Sequence, residues 1–442
     1  MYRVVFPLRR TGVRLAKWSE QSLVTPSCLT LHSGSKPVRQ QQLLGSDETI
    51  RKFHISSPYQ HTEGNKVSVS GSRSDNVKIS SDRISLKYGE FEMELLFVWL
   101  RDHCRCNTCY SHDTNQRNVQ SQKLFTGETP SSVEFDGLVL GISWPDGHVT
   151  SYDINWLVNN VYHNHHTDHV DKVLWDKETI ESAGLPTVHF REYMDSDEGL
   201  WKHLNNLVKF GFSIVTEAPP VHHMGTLEVA TRICFKQETH FGPDWTFTSN
   251  NERGDTAYSD LYLGAHTDNT YFTSPSGIQV FHVLEHDGEG GQTLMVDGQH
   301  CAEQLRSKYP AKFDLLTRTI IPHEYYEEKL RVRSLGTVLS VHPTTGQFLQ
   351  IRYNPYDRSP LYTVHPDDQQ AFYQAYEALT QEVRNQENEL WIKLKAGMVL
   401  FVDNWRVMHG RASFTGRRLV SGCYLPRDDW ISKARVMGLM NL

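Results

Sequence analysis

The sequence predicts a mainly β chain with flanking helices (α+β): a double-stranded β-helix, or jelly roll, preceded by a small metal-bearing domain. Three observations carry this expectation. Short runs of alternating apolar residues recur from Ile84 onward, separated by Gly, Asn and Asp, a pattern of half-buried strands and turns. A His-x-Asp sequence, His266-Thr267-Asp268, stands ahead of one such strand, Ile278 to Leu284. Three cysteines, Cys104, Cys106 and Cys109, crowd into DHCRCNTCY.

The chain has 442 residues, 38% of them hydrophobic, and can bury a sizeable core in about two domains. Residues 1–46 hold seven Arg and Lys against a single acid, Glu20, the composition of a mitochondrial transit peptide, so the matrix is the expected compartment. Without them 38 bases face 51 acids, a formal charge of −13. That balance does not suit a nucleic-acid backbone. No stretch approaches the roughly 20 apolar residues of a membrane span, so no membrane partner is expected. Residues 47–82 are polar and rich in Ser, Gly and Asn, which reads as linker.

The N-terminal domain is placed at 83–165. It opens with ISLKYGEFEMELLFVWL, which alternates like paired strands, and then reaches the cysteines. Cys104, Cys106 and Cys109 with His148 make a Cys₃His set, which suits a tetrahedral structural zinc and leaves no position open for chemistry. Three clustered cysteines cannot all pair with one another, and the other four are scattered singly.

The catalytic domain is placed at 186–442. A helix around GLWKHLNNLVKF precedes the strand Phe212 to Thr216, and further helices are expected near Thr226–Thr239, Gln299–Thr317 and His365–Gln386. The last strands are 398–404 and 418–424.

An imidazole and a carboxylate two residues apart point to one side of an extended backbone and can share a metal. His-x-Asp also occurs at His166 and at His365. The first lies in a polar run, and the second opens a helical period with aspartates suited to its N-terminus. Only His266 is followed by an alternating strand, a Gly-Gly turn and a second apolar stretch. His409, beside the apolar strand 398–404, supplies the third ligand of a two-His, one-carboxylate iron site. Arg418, nine residues later, can hold a carboxylate through two parallel hydrogen bonds.

With these residues quoted, the chain resembles the γ-butyrobetaine and trimethyllysine dioxygenase family of iron(II), 2-oxoglutarate-dependent oxygenases. The likeness runs from about residue 98 to the C-terminus through WLRDHCRCNTCY, WPDGHVTSYDINWL, RGDTAY, HTDNTYF, GIQVFHVL, IRYNPYDR, DNWRVMHGR and GCYLPRDD. It implies His266, Asp268 and His409 on iron, Arg418 on the distal carboxylate of 2-oxoglutarate, and Thr293 hydrogen-bonded to that co-substrate. It also implies ascorbate as reductant, O₂ as co-substrate and a homodimer. The implied reaction is hydroxylation of N6,N6,N6-trimethyl-L-lysine at C3, with release of succinate and CO₂, opening carnitine biosynthesis.

A quaternary ammonium has no N–H and is best held by aromatic faces. By resemblance Trp245, Tyr258 and Tyr424 form that cage, with Phe241 where the family usually has Tyr. By the same resemblance Asp255 meets the substrate's α-ammonium and Asn354 its carboxylate. Asp255 favours trimethyllysine over the rival substrate γ-butyrobetaine. A methyl-ammonium binding module without catalysis is the other alternative, against which three intact ligands and Arg418 speak.

Overall fold

The computed structural model describes residues 67–118, 128–162, 170, 172–221, 224–248 and 259–440. The transit-peptide region, most of the expected linker, the His166 motif, Asp255 and Tyr258 lie outside them.

The N-terminal part holds a meander, Val77–Ile79, Arg83–Tyr88 and Phe91–Leu96, beside a four-stranded sheet, Ser68–Ser70, Ser132–Phe135, Val139–Ser143 and Val149–Asp153. Alternation does what it predicts: Ile84, Leu86, Met93 and Leu95 point inward and meet Val133, Phe135, Leu140, Ile142 and Tyr152. Asp153 caps the helix Ile154–Asn160 by accepting from the amides of Asn155 and Trp156. The linker is shorter than composition suggested, because Ser68–Ser70 and Val77–Ile79 already pair into these sheets. Short polar strands at a sheet edge carry little apolar signal.

The catalytic part is built on two sheets facing one another. The larger runs Thr187–His189, Phe212–Thr216, Val399–Asp403, Ile278–His286, Arg418–Leu425, Trp245–Phe247 in spatial order. The smaller runs Leu263–His266, Val407–Arg411, Thr293–Asp297, Leu390–Ile392. Val399–Asp403 is buried along its whole length. Val399 and Phe401 pack under the helix Asp197–Phe210, while Leu400 and Val402 face Met295, Leu390 and Ile392 across the interior. On the smaller sheet Ala265, Leu294, Val296 and Met408 turn outward, onto the helices Gly298–Lys308, Pro310–Arg318 and Pro366–Val383. Their neighbours His266, Thr293 and His409 therefore turn inward, because successive side chains alternate faces. Among the described residues no helix is long and apolar enough to cross a membrane.

Three boundaries differ from expectation. Catalytic structure begins before residue 186. Trp175 is fully buried, its indole N–H donating to the Phe210 carbonyl at 2.7 Å, and Asp176 caps a helix Lys177–Ala183. The helix expected over Thr226–Thr239 is Met224–Thr231. The one expected over Gln299–Thr317 is two, broken at Tyr309 where Pro310 starts the second helix at its first turn.

Candidate active site

His266 ends its strand and lies directly opposite His409 in the antiparallel ladder. Asp268 sits just past the strand end. Its Oδ1 lies 3.2 Å from His266 Nε2 and 3.7 Å from His409 Nε2. The loop that carries Asp268 is clamped by Asn404, which is buried. The Asn404 side-chain Oδ1 accepts from the Asp268 amide at 2.7 Å, and its NH₂ donates to the carbonyls of Asp268 and Ser276. Asn269, next in the chain, takes a left-handed φ of 55° that turns the loop away, and its side chain accepts from Ser276.

These three residues fit a metal cation. His266 Nδ1 lies 2.8 Å from the Gly264 carbonyl, which only accepts, so Nδ1 carries the hydrogen. Nε2 is then the atom facing a carboxylate oxygen, and such an approach is held together by a proton or a cation between the two. Burial by itself lowers the His266 pKa, but the hydrogen bond and charge of Asp268 outweigh it and raise it. Burial pushes His409 down to about 3, leaving that ring neutral at pH 7. Burial raises Asp268, yet His409, His266 and the Tyr424 hydroxyl outweigh it and hold the acid at about 2. A carboxylate and two imidazoles with their ligand atoms all within 4.8 Å of one another form the two-His, one-carboxylate set of a non-haem iron centre.

The same cavity is lined by Thr293, Arg418, Phe241, Trp245, Tyr424 and Asn354. Arg418 lies on the larger sheet, with no acid paired to it among the described residues. Burial, and then the neighbouring Arg411, pull its pKa down to about 10. It stays charged at neutral pH, and a half-buried cation without a counter-charge is costly until an anion arrives. Trp245 lies opposite Gly422, where an added Cβ would come within 2.1 Å of the indole. The Trp245 ring stacks on Phe247 at 4.2 Å and stands 6.0 Å from Tyr424.

Asn354, expected at the substrate carboxylate, lines the same cavity. Its NH₂ donates to the Thr267 carbonyl and to Asp357, while its oxygen accepts from the amides of Tyr356 and Asp357. The side chain is thus held by its own turn and by the Thr267 carbonyl, at the wall of the cavity. Asn before Pro is a turn signal in its own right. Several lining residues escaped the sequence reading. Tyr271 follows His-x-Asp closely, so proximity was a usable clue. Tyr325, 5.0 Å from Tyr271 between ring centres, comes from a polar hairpin, Ile320–Glu327 with Leu330–Thr337, that gives no such clue.

In the N-terminal part the other expected cluster also assembles. His148 Nε2 lies 3.2 Å from Cys104 Sγ and 3.6 Å from both Cys106 Sγ and Cys109 Sγ. A hairpin turn presents the imidazole: Asp146 accepts from the His148 amide and is held by Arg101 at 2.7 Å. Burial and then the neighbouring Cys104 push the Cys109 thiol up to about 12. Crowded thiols resist ionising together, which a bound cation would relieve. The described cysteines are all free.

Residues 176–424 match the model of the taurine catabolism dioxygenase TauD, TfdA family, and residues 75–158 match a gamma-butyrobetaine hydroxylase-like N-terminal model. Over 363 residues the chain is 44% identical to the mitochondrial trimethyllysine dioxygenase of Rattus norvegicus, spanning 81% of this chain and 86% of that protein. It is 33% identical to the trimethyllysine dioxygenase of Meyerozyma guilliermondii, over 77% of this chain and 90% of that one. To the gamma-butyrobetaine dioxygenase of Pongo abelii it is 26% identical, over 80% of this chain and 93% of that one. The chain therefore belongs to the trimethyllysine dioxygenases of the TauD, TfdA dioxygenase family.

Proposed function

We propose that the protein hydroxylates N6,N6,N6-trimethyl-L-lysine at C3, consuming O₂ and 2-oxoglutarate and releasing 3-hydroxytrimethyllysine, succinate and CO₂, the first step of carnitine biosynthesis. One observation carries the reading: an iron-type ligand set, a half-buried arginine with no acid paired to it among the described residues, and an aromatic wall share one cavity. The two facing sheets are read as its jelly roll. His266, Asp268 and His409 would hold the iron, which would supply the activation of O₂, with ascorbate as its reductant.

The side chains do the binding and orienting. Arg418 grips the distal carboxylate of 2-oxoglutarate in a two-pronged bond, and the Thr293 hydroxyl donates to the same molecule. Trp245, Tyr424 and Phe241 face the trimethylammonium, each ring contributing about 0.5–2 kcal/mol. Phe241 offers a π face without a hydroxyl. Asp255 and Tyr258 are assigned to the α-ammonium and the cage.

The experiment is turnover with iron(II), ascorbate, 2-oxoglutarate and either trimethyllysine or γ-butyrobetaine. Succinate release coupled to trimethyllysine alone is expected; coupling to γ-butyrobetaine alone would move the chain to the other branch. Trp245→Ala should raise the KM for trimethyllysine about tenfold, the loss of one strong cation–π contact, and that for 2-oxoglutarate little. Equal effects would remove the cage.

Zinc on Cys104, Cys106, Cys109 and His148 is part of the proposal, as a structural ion. Metal analysis should find one zinc per chain, and chelation should lower the melting temperature without altering the iron set. Folded, active protein lacking zinc would contradict it. A homodimer in the mitochondrial matrix completes the reading, with sedimentation and organelle fractionation as its checks.

A further inference from the structure

Asp268 uses its two carboxylate oxygens differently. Oδ1 faces the imidazoles of the smaller sheet. Oδ2 turns to the larger sheet, where it accepts from the Tyr424 hydroxyl at 2.8 Å and from the Gln279 amide. Tyr424 and Gln279 are direct cross-strand partners. They project from one rung as a pair of donors aimed at a single oxygen. The aromatic ring of the same tyrosine lies beside Trp245, on the cavity wall.

We infer that the Tyr424 hydroxyl, with Gln279, is a positioning group for the iron carboxylate, a role separate from the contact its ring makes with the substrate. The inference rests on the iron reading above. Two donors occupy the outer oxygen, which leaves Oδ1 to the metal and fixes the plane of the carboxylate. The donors belong to the sheet that carries Trp245 and Arg418, whereas both imidazoles belong to the other. The Asp268 carboxylate is thus where the two sheets meet over the ligand set. A shift of the Tyr424 ring against bound substrate is transmitted to Asp268 through one hydrogen bond.

Cobalt(II) binding to the full chain, without substrate or co-substrate, tests this against a purely structural or purely aromatic role. Tyr424→Phe keeps the ring and removes the donor. It should weaken cobalt binding about tenfold, the low end for groups that orient metal ligands, while the KM for trimethyllysine moves far less than in Tyr424→Leu. Gln279→Met removes the other donor and should weaken cobalt binding similarly, so the inference survives a misfolded tyrosine variant. Wild-type cobalt affinity in both folded variants would overturn it. Failure of trimethyllysine turnover in the unaltered enzyme, with the cobalt losses intact, would sink the substrate assignment and leave this role standing.

Discussion

Replacing His409 by alanine should cut trimethyllysine-coupled succinate formation by about 1,000-fold or more, equivalent to about 4 kcal/mol in the barrier. Among the described residues the imidazole is one of three candidate ligands converging on the site, and its Nε2 faces Asp268 Oδ1 at 3.7 Å. The fold should survive. His409 Nδ1 is buried without a hydrogen-bond partner, so alanine removes no bond on that side, and the strand's ladder to Thr293–Asp297 is a backbone structure. The measurement is coupled turnover beside a melting curve and an iron-binding isotherm. A variant that kept a tenth of normal activity would mean that the third ligand has been misassigned.

The largest stability effect is expected at Arg406→Ala, about 3–5 kcal/mol. Arg406 and Asp297 form an ion pair with side chains only 4% and 0% exposed. The guanidinium also donates to the carbonyls of Lys209 and Val173. Asp297 accepts in addition from the amides of Trp175, Gln299 and His300, so it caps the helix Gly298–Lys308. Alanine would strand that carboxylate in the interior and free the segment leading into the catalytic sheets. Lysine should rescue poorly, since it cannot fork between the two carboxylate oxygens. Denaturant unfolding at neutral pH is the measurement, and a loss below about 1 kcal/mol would show the pair to be dispensable.

The parts of this architecture legible in the sequence were those with a period or a fixed spacing. Ile278 to Leu284 alternates, and His266 and Asp268 fall two apart just ahead of it. Val399 to Val402 is apolar at every position because both faces of the strand are covered, which marked the strand next to which His409 was sought. What stayed hidden depended on long-range pairing. Trp175 looks like a linker residue until Phe210 and Phe212 close over it. The hairpin carrying Tyr325 reads as a charged stretch because much of it faces water. Asn354 was singled out from the sequence, but its hydrogen bonds to Thr267 and to the turn it builds were not visible there. Gln279 and Asn404 gave no signal: an amide in an apolar strand or a turn has no distinctive spacing, and its purpose appears only once Asp268 is beside it.

The direct opposition of His266 and His409 across one rung has a consequence for how such a chain can change. The long stretch between them can change length in its exposed loops without disturbing the pair, provided that Thr293–Asp297 and Val399–Asp403 keep their places in the sheets and the helices stay packed on the smaller one. Within the strands the rule is one of parity. Deleting a single residue between His409 and the turn that begins its strand would swing the ring to the helix-covered side, and two deletions would restore its facing but offset it along the ladder. Mutational drift should therefore be permissive of length in the exposed loops between the ligands and intolerant of odd steps beside them.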